Sequence, residues 1–242
     1  MIFSQLEIKK IHLLSDLKNL KDGDRVQINT INAHSYNVAK KDAAFAEVLQ
    51  KSDYLLPDGQ SIVWAKKWLT GEKLKRIAGY DLFQWEMDRI NSIEGKCFFL
   101  GSTNETLDKI KKKIRKEYPL VVIDTFSPPY KSEFSNEDNL IMVSRINEFQ
   151  PDVLFVGMTA PKQEKWVFNN AEFLNTGHIC SIGAVFDFYA GNIQRAPQKW
   201  QDLGLEWLYR LMKEPRRMWK RYIVGNSLFI YYIFKEKLFN KE

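Results

Sequence analysis

The stretch VLFVGMTAP, residues 153–161, shows how this chain is built. Four apolar residues end at a glycine, and after a short turn a proline opens an amphipathic segment. A continuous apolar run of this length is typical of a strand that is buried on both faces, and proline is tolerated in the first turn of a helix. The stretch therefore predicts a strand, a turn and a helix, the unit from which α/β folds are assembled.

The same unit recurs along most of the chain. Apolar or β-branched runs that predict strands occur at 26–31, 54–56, 97–100, 120–123, 153–156 and 179–182. Between them lie segments that predict helices, at 39–49, 61–69, 81–90, 105–117, 138–149 and 162–174. Apolar strands that alternate with helices indicate a mostly parallel sheet covered on both faces, so we expect an α/β layered fold.

The composition narrows the class of protein. Of 242 residues, 45% are hydrophobic and 27% are charged, values that exclude a largely disordered chain and a polytopic membrane protein. Cys97 and Cys180 lie in apolar runs, so we expect buried thiols. Together with the three histidines they show no metal-ligand spacing. Charges interrupt the N-terminal apolar residues, so we expect no signal peptide and a chain that stays inside the cell.

The positive charge is concentrated near the C-terminus. From Gly204 onward nine lysines and arginines face four acids, which accounts for nearly all of the net charge of +6. Residues 222–239 are rich in apolar and aromatic side chains, but Gly225-Asn226-Ser227 interrupts them, so we expect no membrane-spanning helix. Aromatic rings beside lysines and arginines predict an interfacial helix on an anionic membrane. Packing on the protein's own core or on a partner subunit is the alternative.

Polar residues follow the first two predicted strands. Residues 29–35, Asn-Thr-Ile-Asn-Ala-His-Ser, could orient sugar hydroxyls or cap the next helix. Asp58, between Pro57 and Gly59, stands at a strand end, where a carboxylate could act as a general base, although Asp-Gly is also a common turn pair. Arg76 could pair with a phosphate or a carboxylate, or lie solvated on the surface.

Later segments add candidates for ligand binding. Gly101 and Gly157 each follow a predicted strand. A Ser or Thr comes within the next two residues and a predicted helix begins soon after, which suits either phosphate binding or ordinary helix capping. Gln163 can donate and accept hydrogen bonds near a helix N-terminus. Asp187 lies among apolar residues and so requires a partner. Neither a G-x-G-x-x-G nor a Walker motif is present.

Eight short motifs in a fixed order carry a family resemblance. They are TxN, PDG, RxxG, PKQE, FDF-AG, RAP, GLEWLYRL and EPRR, and they extend from about Val26 to Tyr222. In order and spacing they resemble the WecG/TagA/CpsF family of glycosyltransferases.

The resemblance implies a fold and an activity. It implies a Rossmann-like α/β body, residues 1–200, with a C-terminal helical appendage, residues 201–242, that docks on the membrane and completes the site. It implies metal-independent, inverting transfer from a UDP-sugar to a polyprenyl-diphosphate-linked acceptor sugar, without a cofactor. The pathway would build teichoic acid, enterobacterial common antigen, capsule or exopolysaccharide. The partners would be the two substrates and the inner face of the cell membrane, with no nucleic acid and with a homo-oligomer left open.

The resemblance also assigns roles to residues. It implies Asp58 as the catalytic base. The residues implied to bind substrate are Thr30, Asn32, Arg76, Gln163, Asp187, Arg210 and Arg217. Asp187 is associated with the nucleotide and the two appendage arginines with diphosphate. With no metal cluster in the sequence, Arg76, Arg210, Arg216 and Arg217 are the candidates to stabilise the departing UDP.

The chain departs from the family pattern at two places. Thr30 is followed by Ile31-Asn32-Ala33-His34, and the PKQE loop begins Gly157-Met158 where a second glycine is common. Two other classes stay open: an RNA-binding module, suggested by the basic, aromatic C-terminus, and a catalytically silent scaffold that binds nucleotide or lipid. The sequence leaves the donated sugar open among N-acetylmannosamine, its uronic acid, glucose, glucuronic acid and galactose.

Overall fold

The computed structural model describes residues 6–239 and contains one six-stranded sheet in which every pairing is parallel. The strands are β1 (Val26–Ile31), β2 (Tyr54–Pro57), β3 (Lys96–Gly101), β4 (Val122–Phe126), β5 (Val153–Gly157) and β6 (His178–Ser181). Their order across the sheet is β2-β1-β6-β5-β3-β4. The α/β layered fold is confirmed.

Helices cover both faces of the sheet and form the C-terminal segment. Those that precede the last strand are α1 (Ala33–Ala39), α2 (Ala43–Lys51), α3 (Gln60–Thr70), α4 (Gly79–Ser92), α5 (Asn104–Glu117), α6 (Asn136–Phe149) and α7 (Lys162–Asn170). Those that follow it are α8 (Gly183–Ala190), α9 (Gln198–Asp202), α10 (Glu206–Lys213), α11 (Pro215–Trp219) and α12 (Gly225–Phe239). A π-helical turn, Lys220–Val224, joins the last two.

The single helix expected over residues 39–49 is wrong. The chain instead forms α1 and α2, which are separated at residues 40–42. Asn32 caps α1 by accepting hydrogen bonds from the backbone N–H groups of His34 and Ser35, and Asp42 caps α2 by accepting one from Phe45. Two caps ten residues apart define two short helices, because each satisfies backbone donors that a continuous helix would bond internally.

Apolar side chains on the two faces of the sheet form separate clusters. On one face β-strand residues pack with α4, α5 and α8, through buried residues such as Leu82, Ile110 and Phe186. On the other face one cluster joins α1, α2, α3 and α12, and another joins α6 and α7. Both cysteines are buried and free, as expected. With both faces covered, the open edge at the carboxyl ends of the strands is where ligands bind in sheets of this kind.

Two glycines bring neighbouring strand ends close together at that edge. Gly101 of β3 and Gly157 of β5 are register partners. A Cβ on Gly101, whose φ is +114°, would lie 2.3 Å from the carbonyl oxygen of Gly157. A Cβ on Gly157 would lie 2.5 Å from the ring of Phe186. Only glycine fits at both positions, so the two following loops start from adjacent points.

The C-terminal helix α12 belongs partly to the core. Gly225-Asn226-Ser227 does not interrupt it, since the helix runs continuously from Gly225. Phe229, Tyr232 and Ile233 are buried in the cluster that contains α1, and the rings of Tyr36 and Phe229 lie 5.4 Å apart. Within residues 6–239 no helix is long and apolar enough to cross a membrane. The alternative of packing on the protein's own core therefore holds for one face of this helix.

Candidate active site

A large cavity opens at the carboxyl ends of the strands. Its volume is about 1710 Å³, and the loops after β1, β2, β3, β4, β5 and β6 contribute to its wall together with α3, α10, α11 and α12. The structure brings together all eight residues that were predicted for the site, since the lining includes Thr30, Asn32, Asp58, Arg76, Gln163, Asp187, Arg210 and Arg217.

Asp58 stands directly after β2 and is held by backbone contacts. Its N–H donates to the carbonyl oxygen of Ile31, at 2.9 Å, which ties the turn to the end of β1. Its Oδ1 accepts a 3.4 Å hydrogen bond from the N–H of Gly79, the first residue of α4. Pro57 ends the strand because it has no N–H to continue the ladder. The carboxylate is thereby fixed at the rim of the sheet, inside the cavity.

The pKa of Asp58 lies well above its ordinary value. It is raised from 3.8 to about 6, chiefly by burial and also by the negative charge of Glu206. Arg76 and hydrogen bonds from Asn32 and Gly79 act in the opposite direction. A carboxyl group that titrates near pH 6 is ionised at neutral pH and still basic enough to take a proton, which is the range that suits a general base.

Asn32 caps a helix and also lines the cavity; its contact with sugar hydroxyls stays a prediction. Its Oδ1 caps α1, and Ser35 completes a capping box by donating its N–H to Asn32 while its hydroxyl accepts from the Asn32 N–H at 2.8 Å. The residue also lines the cavity, where its side chain lowers the pKa of Asp58 by hydrogen bonding. Thr30, half-buried two residues earlier on β1, lines the same wall.

Arg76 is not a solvated surface residue. Its side chain is 17% exposed, and its Nη1 forms a 3.0 Å salt bridge to Oε2 of Glu206. Of the two partners considered for it, the structure therefore shows a carboxylate. Glu206 lies in the GLEWLYRL motif at the start of α10, so this contact joins the C-terminal segment to the wall that carries Asp58.

Gln163 is clamped between a backbone group and a buried carboxyl group. Its Oε1 accepts from the N–H of Met158, at 3.2 Å, and its Nε2 donates to Oε1 of Glu164, at 2.9 Å. Glu164 is 2% exposed, and burial raises its pKa to about 7. The amide of Gln163 thus has a fixed orientation at the cavity wall.

Asp187, in the middle of α8, has the partner that its apolar surroundings required. Its Oδ1 accepts a 3.2 Å hydrogen bond from Nδ2 of Asn192. The side chain is half-buried and lines the cavity. The partner is a neutral amide, which leaves the carboxylate charge available to a ligand.

The C-terminal arginines form a basic wall. Arg210 lies 5.4 Å from the ring centre of Phe188, and Arg217 pairs with Glu214 at 2.6 Å. Arg216, proposed with them to stabilise the departing UDP, is exposed and outside the cavity lining, because it lies beside Arg217 on the short helix α11 and cannot share its direction. The structure thus does not place Arg216 with the other three candidates, and its contact with UDP stays a prediction.

Among the charged residues of the cavity lining that received no predicted role are Glu206, Arg195 and Arg221. Arg221 follows α11 in the π-helical turn, and burial lowers its pKa. Its charge reaches His34, whose pKa is lowered to about 4, first by burial and then by Arg221. All three lie in or beside motifs that were identified, but no local pattern indicates that their side chains turn inward.

One end of the cavity is apolar. Trp64 and Trp68 of α3 and Ile230 and Phe234 of α12 line it, and each is more than two-fifths exposed. The rings of Trp68 and Phe234 meet at 4.9 Å. We call these four side chains the apolar rim. A polar site and an apolar rim within one cavity suit a substrate that has both kinds of group.

Metal ligands are not grouped in the part of the chain that the structure describes: among residues 6–239 no three His, Cys, Asp or Glu side chains are placed to hold a metal ion.

A parallel α/β sheet with a carboxylate and several arginines at its strand ends is typical of enzymes that transfer groups from phosphorylated substrates. A sequence model of the family described as "Glycosyl transferase WecG/TagA/CpsF family" matches residues 3–242. The chain belongs to this family of glycosyltransferases, so the resemblance carried by the eight motifs is confirmed.

Curated relatives carry one shared description. The chain is 34% identical over 195 residues, 80% of its length and 73% of the relative's, to N-acetylglucosaminyldiphosphoundecaprenol N-acetyl-beta-D-mannosaminyltransferase of Bacillus subtilis (strain 168). The corresponding protein of Bacillus spizizenii (strain ATCC 23059 / NRRL B-14472 / W23) is 30% identical over 76% of this chain and 69% of its own. That of Staphylococcus aureus (strain MW2) is 29% identical over 87% and 80%.

Proposed function

We propose that this protein transfers a sugar from a UDP-sugar to a sugar linked to polyprenyl diphosphate, by an inverting reaction that needs no metal ion. The transfer belongs to the assembly of a bacterial cell-surface polysaccharide. The observation that carries the proposal is the position of Asp58, whose carboxylate shares one cavity with the basic wall and with the other residues of the family motifs.

In this mechanism Asp58 takes the proton of the acceptor hydroxyl. The hydroxyl oxygen attacks the anomeric carbon from the face opposite UDP, the bond from that carbon to the phosphate oxygen breaks, and UDP leaves with the bonding electrons. A carboxyl pKa of about 6 supports this role, because the group is ionised at neutral pH and a positioned base of this kind contributes roughly 10²–10⁴-fold in rate.

The departing diphosphate gains negative charge, and the cavity offers cations to bind it. Arg210, Arg217 and Arg221 line the wall that the C-terminal segment supplies. Guanidinium groups match the geometry of phosphate oxygens and stay charged at every physiological pH. On this proposal residues 1–200 are the catalytic body, and residues 201–242 are an appendage that completes the site.

The relatives support a particular pair of substrates. Their name describes transfer of N-acetylmannosamine to N-acetylglucosaminyl-diphospho-undecaprenol. We propose UDP-N-acetylmannosamine as the donor and this lipid as the acceptor, which would place the enzyme in teichoic acid synthesis in preference to capsule or exopolysaccharide synthesis. A single hydroxyl contact separates such donors from their epimers.

Turnover tests the proposal. The purified protein is incubated with the lipid acceptor and a panel of UDP-sugars, with and without EDTA, and products are identified by mass and by the anomeric configuration of the new bond. We expect a β-linked product from UDP-N-acetylmannosamine that EDTA does not suppress. UDP binding without turnover of any donor would support the scaffold, and salt-sensitive RNA binding without turnover would support the RNA-binding module.

We also propose that the protein docks on the cytoplasmic face of the membrane through the apolar rim. Trp64 and Ile230 are 58% and 54% exposed, and Lys220 and Lys237 lie on the C-terminal segment that carries Ile230. Exposed rings and aliphatic side chains beside lysines suit the interface of an anionic bilayer. The rim adjoins Asp58 in one cavity, so docking would bring the site to an acceptor that stays in the membrane.

Sedimentation with vesicles tests the docking surface. Deletion of α12 would remove part of the core, so surface substitutions are the better variants. We expect W64Q/I230Q to bind vesicles that contain phosphatidylglycerol several-fold more weakly than the unchanged protein does. The matched control is L140Q/I141Q, which removes two exposed apolar side chains from α6, outside the cavity lining. Equal binding by the two double variants would refute docking through the rim.

A further inference from the structure

Glu206 contacts two arginines of the cavity at once. Its Oε2 lies 3.0 Å from Nη1 of Arg76, and its Oε1 lies 3.8 Å from Nε of Arg195. All three side chains are at most 20% exposed, and all three residues line the cavity. Arg76 precedes α4 and Arg195 follows α8, so one carboxylate of the C-terminal segment joins two distant parts of the body.

Arg195 keeps an unused donor. Its guanidinium carbon lies 4.7 Å from the ring centre of Tyr80, and its Nη2 lies 3.6 Å from Oδ1 of Asp81, which is beyond hydrogen-bond distance. That Nη2 is buried and, among residues 6–239, has no hydrogen-bond partner. A buried guanidinium N–H without an acceptor is costly, which points to a ligand that supplies one.

We propose that Arg195 binds a diphosphate group of a substrate and that Glu206 is a positioning residue, which holds Arg195 and Arg76 together on one wall of the cavity. The inference rests on the proposed function and adds to it two residues that the family motifs left without a role. Two guanidinium groups this close repel each other, and a carboxylate between them removes that repulsion. Each arginine retains further N–H groups, enough to meet phosphate oxygens in pairs.

The contact also links the C-terminal segment to the base. The charged groups that face Asp58 are Glu206 from α10, Arg76 from the segment before α4, and Arg221 from the π-helical turn. Of these only Glu206 raises the pKa of Asp58. Removal of its charge should therefore lower that pKa, and the acid limb of the rate profile should move to lower pH.

The variants are chosen to keep the size of each side chain. E206Q removes the charge of Glu206, and R195K keeps a charge but loses the planar fork. The control is E47Q, because Glu47 forms an exposed ion pair with Lys51 on α2, outside the cavity lining. Circular dichroism and thermal unfolding report folding, and R195K decides the test if E206Q does not fold.

Calorimetry with UDP and with farnesyl diphosphate separates the two possible sources of diphosphate. We expect R195K and E206Q each to bind one of these ligands roughly 10-fold more weakly, the loss of about one charge-assisted contact, with E47Q unchanged. Weaker UDP binding assigns the wall to the donor, and weaker farnesyl diphosphate binding assigns it to the acceptor. The KM for the assigned substrate should rise more than kcat falls.

Unchanged affinity for both ligands in folded R195K would overturn the role of Arg195. An acid limb at the same pH in E206Q as in E47Q would overturn the role of Glu206. The calorimetric result does not depend on turnover, whereas the acid limb can be compared only once the unchanged protein turns over a donor. Failure of the proposed function would appear as a lack of turnover by the unchanged protein with every donor.

Discussion

Asp58→Asn should make the protein more stable at neutral pH while it abolishes transfer. Burial raises the pKa of Asp58 from 3.8 to about 6, so the folded protein holds the ionised carboxylate at a cost. A shift of that size corresponds to about 3 kcal/mol, at about 1.36 kcal/mol per pH unit. Asparagine has nearly the same shape, still accepts from Gly79 and carries no charge, so it avoids this cost.

The sign of the effect fixes its pH dependence. Below about pH 4 Asp58 is protonated in both the folded and the unfolded protein, and its contribution to stability is fully present. As the pH rises toward 6 the unfolded chain releases the proton first, so the free energy of unfolding falls, and above the folded pKa the loss is complete. The stability gain of D58N should therefore be near zero at pH 4 and about 3 kcal/mol at pH 8.

Urea unfolding from pH 4 to pH 8 measures this difference, with D108N as the control because Asp108 is exposed on α5. Turnover should fall roughly 10²–10⁴-fold in D58N, the usual contribution of a positioned base. If D58N is less stable than the unchanged protein at pH 8, the burial cost assigned to Asp58 is wrong. Near-normal turnover by D58N would remove Asp58 from the mechanism.

Two further predictions concern buried carboxylates. Glu236 of α12 accepts from the N–H groups of Ile8 and Lys9 and from the hydroxyl of Tyr36. E236A should lower the free energy of unfolding by about 3 kcal/mol or more, because it leaves these donors buried, whereas E47Q should change it little in the same urea titration. Glu164 orients Gln163 by accepting a hydrogen bond from its amide. E164L should therefore lower kcat/KM about 10-fold, whereas E164Q, which keeps an acceptor, should retain most activity. Equal losses of kcat/KM in both variants would contradict that role.

The strands could be predicted because burial on both faces leaves a plain apolar pattern. Five of the six predicted runs lie within two residues of the observed ends. The exception is β4, predicted at 120–123 and observed at Val122–Phe126. This is an edge strand in which Val122 is exposed and Asp124 pairs with Phe98 of β3, and Leu120, which precedes the strand, is exposed as well. At an edge, hydrogen bonding to one neighbour decides where the strand lies, and hydrophobicity alone does not show it.

The eight site residues were accessible from the sequence because each follows a strand or belongs to an ordered motif. Glu206 was not, because its partner Arg76 lies 130 positions away and the pair forms only when α10 packs over the cavity. Arg195 begins the RAP motif, yet nothing in that motif shows that its side chain turns toward Tyr80. Local spacing predicts which residues share a strand end, whereas long-range ion pairs depend on the packing of the finished fold.

The C-terminal segment supplies three features that depend on one another. Glu236 fixes α12 to the N-terminal part of the chain, and Phe229 and Tyr232 bury the same face of the helix. With that face occupied, Ile230 and Phe234 lie on another, exposed face of the helix, where they form part of the apolar rim, because the 3.6-residue period turns successive side chains in different directions. The arginines precede α12 directly, so the contacts that anchor the helix also place the basic wall over Asp58. Loss of the Glu236 anchor should therefore weaken UDP binding as well as lower the free energy of unfolding. If E236A unfolds more readily but binds UDP normally when folded, the anchor of α12 does not place the basic wall.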